Sequence, residues 1–360
     1  MTTTIRILIL GASYGILPAT KLSLAGHAVT LLGKAEEVAQ LAQSGTELLI
    51  PAKEDGRPLS IKLPVHDKPS AGVLAVTTPE QVRPADYDLI VLAMQEPQYK
   101  AAEIRDLLAR LSEAQRPCLS IMNMPPLPFL SRILNSNADQ VSYAYSSSAS
   151  WQELDPALVT LASPDPQAVR TDPSNPGLLK VTLATNFKLA PFASHAHQEL
   201  LQIISEDVDQ VTVEQNGQTF HPRVRFIART SLFTPLAKWP MLIAGNCRCI
   251  ADPQPRSISN AVWDDVAETK DLYNWVYKLV RVLGADETDL VPFAKYAEAA
   301  KGLILPSSLA RGLHNGATAV ERIDRLVWSL AQNHHMQNPQ LDQIVKTIDS
   351  KIQLNNPVSA

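Results

Sequence analysis

The stretch "IRILILGASYGILPATKLSLAGHAVTLLGK" holds residues whose types and spacing could bind a phosphate. Gly11 and Gly15 bracket a short turn after an apolar run, Ile5–Leu10, that reads as a buried parallel strand; the segment from Leu17 to Ala25 reads as a helix stopped by Gly26. The dinucleotide fingerprint spaces its glycines G-x-G-x-x-G. Here Ser13 stands where the second glycine belongs and Gly15 comes one position early. Serine is small and its hydroxyl can donate to a phosphate, while a helix starting after Gly15 offers N–H groups and the positive end of its dipole to an anion. Gly11, Ser13, Tyr14 and Gly15 are therefore candidate nucleotide-binding residues, against the plainer reading of a strand-to-helix corner. The second strand ends "LLGK", without the Asp or Glu that takes the ribose 2′-hydroxyl of NAD, and Lys34 offers a cation to the 2′-phosphate of NADP. NADP(H) is the expected cofactor.

Other reactive residue types are poorly spaced for chemistry. Cys118, Cys247 and Cys249 are too few for a disulfide framework, and Cys247-Arg248-Cys249 lacks the spacing and second ligand pair of a zinc site. His314 in "LHNG" reads as a helix-end residue and His334-His335 lie in a polar stretch, so no metal is expected. A formal net charge of −4 without a Lys/Arg block gives no field to attract nucleic acid or an anionic membrane. No run nears the roughly 18 apolar residues of a membrane span. With a core strand almost at residue one there is no room for a cleavable leader, and a cytoplasmic protein is expected.

The elements that must position the turn follow a βα alternation. After the opening strand and helix come a second strand in "HAVTLLGK", a helix in "AEEVAQLAQSG" and a hairpin in "ELLIPAKEDGRPLSIKLPV" turning at Asp55-Gly56. "ADYDLIVLAM" and "PCLSIMNM" read as buried strands flanking an amphipathic helix, "YKAAEIRDLLARLSEA". This alternation predicts a doubly wound, parallel Rossmann-like sheet. From about 140 to 225, "ALVTLA", "LLKVTLATNF" and "QVTVEQNG" are short β-like pieces, so the sheet is expected to finish in mixed or antiparallel strands. Beyond "FHPRVR" the pattern turns helical, in "ARTSLFTPLAKWPMLIAGNCRCI", "AVWDDVAETKDLYNWVYKLVRVLG", "DLVPFAKYAEAA" and "NGATAVERIDRLVWSLAQNHH". Two domains are expected, 1–222 binding nucleotide and 223–360 all-α; the 27 prolines, clustered in "MNMPPLPF" and "SPDPQ", form no repeat.

The arrangement resembles the ketopantoate reductase family over most of the chain. The glycine turn, "AGHAVT" and the basic Lys34 match its amino-terminal pattern; "DLIVLAMQEPQ" looks like its strand ending in a cofactor-side lysine, and "LSIMNM" like its strand ending in Asn-Gly, with Asn123 on the asparagine. "LAKWPMLIAGN" has Lys238 and, eight residues on, Asn246, where the family carries its catalytic lysine and a substrate-binding asparagine. "PSSLARGLHNGATAVERID" puts Ser308 on the substrate-carboxylate serine and Glu321 on the active-site glutamate. The resemblance implies a Rossmann-like domain, an all-α domain similar to the carboxyl-terminal domain of 6-phosphogluconate dehydrogenase, and NADPH-dependent reduction of a 2-keto acid or related carbonyl. It departs from the family at Gln95, which replaces the cofactor-side lysine, at Met124, which replaces a glycine, and at Leu242, where a second substrate asparagine is expected. A site built around a hydroxyl partner discriminates strongly by it, so Leu242 argues against ketopantoate itself.

Hydride reduction of a ketone leaves negative charge on oxygen, so a proton donor must lie close to it. Lys238 in an apolar helix would be partly desolvated and so a better acid near neutrality, with Glu321 positioning it; Asn123 could hold the carbonyl or the nicotinamide ribose. Each has a plainer reading: Lys238 snorkelling to water, Glu321 on a charged helix face, Asn123 capping a turn. Two alternatives stay open: an opine- or imine-type dehydrogenase using His314 as acid, and a catalytically lapsed NADPH-binding sensor, suggested by Gln95, Leu242 and the altered turn. Trp263, Tyr273, Trp275 and Tyr277 could pack a homodimer, or simply a core.

Overall fold

The computed structural model describes residues 3–135, 137–163, 168–172 and 174–356, so residues 164–167 of "SPDPQ" lie outside the described residues. β1 (Arg6–Leu10) is buried at four of its five positions and β2 (Ala28–Leu32) at all five, the signature of strands covered on both faces. β1 pairs parallel with β2 on one side and with Leu89–Leu92 on the other. Among the described residues one sheet of nine strands runs in the order Val224–Ala228, Thr185–Leu189, Val159–Ser163, Cys118–Ile121, Leu89–Leu92, β1, β2, Leu74–Thr77, Val65–His66. Neighbours are parallel throughout except Thr185–Leu189 against Val159–Ser163, so the sheet does end mixed. The strand order changes direction at β1, which makes its carboxyl end a topological switch point.

α1 (Ile16–Leu24) follows the glycine turn and is buried at eight of nine positions, setting Ile16, Leu17, Ala19 and Leu22 into the core that holds Ile9 and Leu31. α2 (Ala35–Ser44) buries only Leu41 and ends at Gly45, whose φ of +70° suits a residue without Cβ. The hairpin expected around Asp55-Gly56 forms from Thr46–Pro51 and Pro58–Leu63, inside a second, four-stranded sheet. "LLKVTLATNF" is two strands: Leu178–Val181 joins that second sheet, while Thr185–Leu189 joins the large one.

Two of the long helices expected beyond 225 are broken. "ARTSLFTPLAKWPMLIAGNCRCI" forms a 3₁₀ turn Thr234–Lys238, a helix Trp239–Ala244 and another 3₁₀ turn Asn246–Cys249. Pro235 and Pro240 each lack the N–H an interior position needs and sit in the first turn of a piece, while the second piece ends at Gly245, where a Cβ would collide with the Tyr296 hydroxyl. "AVWDDVAETKDLYNWVYKLVRVLG" splits because the Asp265 carboxylate accepts the Glu268 N–H at 2.9 Å and caps a new helix, Val266–Val282.

The chain divides into two compact units. One comprises residues up to Met94, Gln98–Arg132 and Ala149–Thr230; the other comprises Gln95–Pro97, Ile133–Ser148 and Ser231–Ala360. A boundary at 222 would leave Val224–Ala228 with the helices, whereas its parallel pairing with Thr185–Leu189 places it in the sheet unit. Among the described residues no helix is long and apolar enough to cross a membrane.

Candidate functional site

In the sheet unit the turn after β1 is tighter than a loop. The Gly15 N–H donates to the Gly11 carbonyl at 3.0 Å, so the chain winds as a helical turn at once. Both glycines are required by space. A Cβ at Gly11, whose φ is +111°, would meet Met94 Cγ at 2.8 Å and the Ala93 carbonyl at 2.9 Å; one at Gly15 would lie 2.3 Å from the Gly11 oxygen and 2.9 Å from both Ile9 and Leu31. Gly15 thus does the work of the last glycine of the fingerprint, close packing of helix on strands. Ser13 is exposed, and the amides of Ala12 and Ser13 donate to no group among the described residues. Those amides, at the amino end of a buried helix, fit a nucleotide phosphate. The ring of Tyr14 turns into the core, edge-on to Phe187 with centroids 6.4 Å apart, so only its backbone stays with the turn.

The end of β2 closes on this turn. A Cβ at Gly33 would be 2.9 Å from that of Ala12. Lys34 is exposed and precedes α2, and its N–H donates to Glu37 Oε2 at 3.3 Å. The acids Glu36 and Glu37 in the first turn of α2 meet the helix dipole that Lys34 alone would oppose. Glu37 Oε1 accepts from Arg170 at 2.9 Å. Asn123, half-buried, leaves the carboxyl end of Cys118–Ile121, the strand beyond Leu89–Leu92 on the same edge as the turn.

The remaining candidates lie in the other unit. Lys238 is half-buried at the end of its 3₁₀ turn, directly before Trp239–Ala244, rather than in mid-helix. Asn246 is half-buried, and its carbonyl accepts the hydroxyl of Ser307 at 2.8 Å. Ser307, 3% exposed, also takes the Ala310 N–H and caps Ser308–His314, so the neighbour of the expected Ser308 ties that helix to Asn246 while Ser308 itself is exposed. Glu321 is not on a helix face: it precedes the helix Ile323–Asn333, in which fully buried Asp324 takes two hydrogen bonds from Arg322, whose Nη1 also meets Asp349 at 2.6 Å. Leu242 is buried, and His314 is exposed at the last turn of its short helix.

Gln95 is exposed, but its neighbour Glu96 is not. Glu96 is 0% exposed, and its carboxylate accepts the Ser147 N–H at 2.7 Å, the Ser147 hydroxyl at 2.6 Å and the Ser146 hydroxyl at 3.0 Å. Its own N–H donates to Glu321 Oε1 at 3.4 Å, a long bond that sets the two acids side by side. Burial, with these two carboxylates close by, pushes the Tyr145 phenol well above its ordinary pKa, so it stays an O–H donor at neutral pH. Sequence reasoning missed Glu96, Tyr145 and Ser147 because an acid next to a proline reads as a surface turn. All three cysteines are free and buried, and burial pushes the Cys118 thiol up to about 12. No group of three His, Cys, Asp or Glu among the described residues could hold a metal ion.

No family model matches the sequence, and no curated protein matches it. Solved structures do. The 2-dehydropantoate 2-reductase of Methylococcus capsulatus aligns with a TM-score of 0.64 over 99% of each chain at 12% identity. The chain has the ketopantoate reductase fold. The dimeric ketopantoate reductase of Staphylococcus aureus aligns over 98% of this chain and 100% of its own (TM-score 0.57, 10% identity). A D-mandelate dehydrogenase in complex with NADH shares the same reductase fold (TM-score 0.59, 13% identity, 97% of this chain and 99% of its own).

Proposed function

We propose that the protein is an NADPH-dependent reductase of a 2-keto acid or related carbonyl other than ketopantoate. The observation that carries the reading is the turn at the switch point of the sheet, where two glycines that admit no Cβ hold the chain close and the Ala12 and Ser13 amides donate to no group among the described residues. Gly11, Ser13, Gly15 and the Tyr14 backbone would hold the pyrophosphate and Lys34 the 2′-phosphate, with Gln95 and Asn123 on the nicotinamide side. The bound nucleotide supplies the hydride. On the carbonyl side Lys238 gives the proton to the developing alkoxide, Glu321 orients it, and Asn246 and Ser308 hold the substrate. Buried Leu242 offers that substrate no hydrogen bond, which supports a substrate lacking the hydroxyl of ketopantoate. The protein is taken to act as a homodimer, as its staphylococcal neighbour is dimeric.

Titration with NADPH and with NADH, followed by nicotinamide fluorescence, tests the cofactor side: a preference for NADPH should be lost in Lys34→Ala. Screening 2-keto acids for NADPH oxidation tests the rest. Lys238→Ala should lower kcat by a factor of about 10² to 10⁴ and leave the NADPH affinity unchanged. Full activity in that variant sinks the assignment of the acid, and activity lost instead in His314→Ala points to the opine-type reading. Tight NADPH binding with no turnover on any keto acid leaves the sensor reading standing.

A further inference from the structure

We propose that Arg170 and Glu37 set the choice between NADPH and NADH, Arg170 as a second cation for the 2′-phosphate and Glu37 as the acid kept from a 2′-hydroxyl. The proposal rests on the nucleotide-binding reading above. Glu37 is the third residue of α2, and its two oxygens are divided: Oε2 takes the Lys34 N–H at 3.3 Å and Oε1 takes Arg170 at 2.9 Å. The guanidinium therefore lies one carboxylate away from the backbone at the end of β2. Glu37 also borders the turn side, since a Cβ at Gly33 would be 3.4 Å from its Oε2 and 2.9 Å from Ala12. Both partners remain accessible, at 27% and 26% exposure, so a ligand can reach them. The buried Nε of Arg170 has no hydrogen-bond partner among the described residues.

The two nucleotides make opposite demands on this group. A 2′-phosphate carries a charge of roughly −1.5 to −2 and three acceptor oxygens, and the planar arginine fork matches it better than a single carboxylate does. Arg170 can turn from Glu37 toward such a ligand, and exposed Lys34 adds its charge. A ribose 2′-hydroxyl instead needs an acceptor. Glu37 is an acid of the right kind beside the end of β2, but the Lys34 amide and Arg170 already occupy its oxygens, so NADH must displace an ion pair to use it. Glu36, exposed one position earlier, has its charge screened by solvent. One ion pair thus supplies the cation and withholds the acid.

The test is the ratio of Kd for NADPH and NADH, read by nicotinamide fluorescence in the wild type, Arg170→Gln and Glu37→Gln, with thermal unfolding as the check on folding. Arg170→Gln should weaken NADPH about tenfold or more and leave NADH equal or tighter, as its acid is released. Glu37→Gln should move the ratio the other way, by several-fold toward NADPH. Equal weakening of both nucleotides by Arg170→Gln, or a ratio that neither variant moves, overturns the proposal and reduces the pair to a brace between α2 and residue 170. Should Arg170→Gln fail to fold, the direction of change in Glu37→Gln decides alone. A wild-type protein that binds neither nucleotide defeats the reductase reading and this inference together, whereas a wild-type NADPH preference with unmoved ratios defeats this inference only.

Discussion

A buried carboxylate is costly unless its oxygens are filled, and Glu96 fills them with three donors from two consecutive serines. Glu96→Ala removes the acceptor for the Ser147 amide in a site closed to water, and should lower stability by about 2–4 kcal/mol in urea denaturation; Glu96→Gln, which keeps an acceptor oxygen, should lose less than half of that. An alanine variant within about 0.5 kcal/mol of wild type would show that solvent reaches the site after all. Residue types alone did not reveal this arrangement. Lys34 and the glycines were legible because their chemistry is local, read from neighbours along the chain. Glu96 was not, because its partners lie about fifty positions away and nothing in "MQEPQ" foretells that the chain returns with Ser146 and Ser147. Ser307 and Ser308 show a finer limit: adjacent and chemically identical, they differ in burial because only the first falls on the cap.

At the scale of elements the short turn is a packing device before it is a binding one. Gly15→Ala would place a Cβ against Ile9, Leu31 and the Gly11 carbonyl, so α1 must lift from the sheet; a loss of about 1–3 kcal/mol is expected in denaturant unfolding, with nucleotide affinity falling alongside. Affinity lost at unchanged stability would mean that the backbone yields at no cost. The far end of the same helix carries a titrating group. Lys21, 3% exposed, donates to the Pro222 carbonyl at 3.3 Å, and burial lowers its pKa to about 8 against a partial lift from Asp209. The unfolded chain therefore binds this proton more tightly than the fold does, so stability should rise with pH from about 8 toward the ordinary lysine value. Lys21→Met should lose that slope between pH 8 and 10; a slope unchanged in the variant assigns it to another group. Strands and first helices were readable because apolar runs of period two or full burial leave few alternatives. The carboxyl-terminal helices misread as continuous had their breaks written in Pro235, Pro240, Gly245 and Asp265, residues that a helix tolerates or not depending on where its first turn falls.

For the whole molecule, fold class was legible and unit composition was not. Alternating βα pattern predicts the sheet, and the reversal at Thr185–Leu189 was visible only as shorter, proline-broken strands. That Gln95–Pro97 and Ile133–Ser148 belong with the helices has no local signal, since each is a brief segment inside a region otherwise given to the sheet unit. The consequence is practical. A single scissor cut after Thr230 cannot yield two working halves: the fragment from Ser231 onward would carry Glu321 but lack the Glu96 amide bonded to it and the Ile133–Ser148 segment of its unit, and should remain unfolded by circular dichroism when expressed alone. Transplanting this helical unit onto another sheet would accordingly need three grafts rather than one, with the two short inserts travelling alongside the tail they serve.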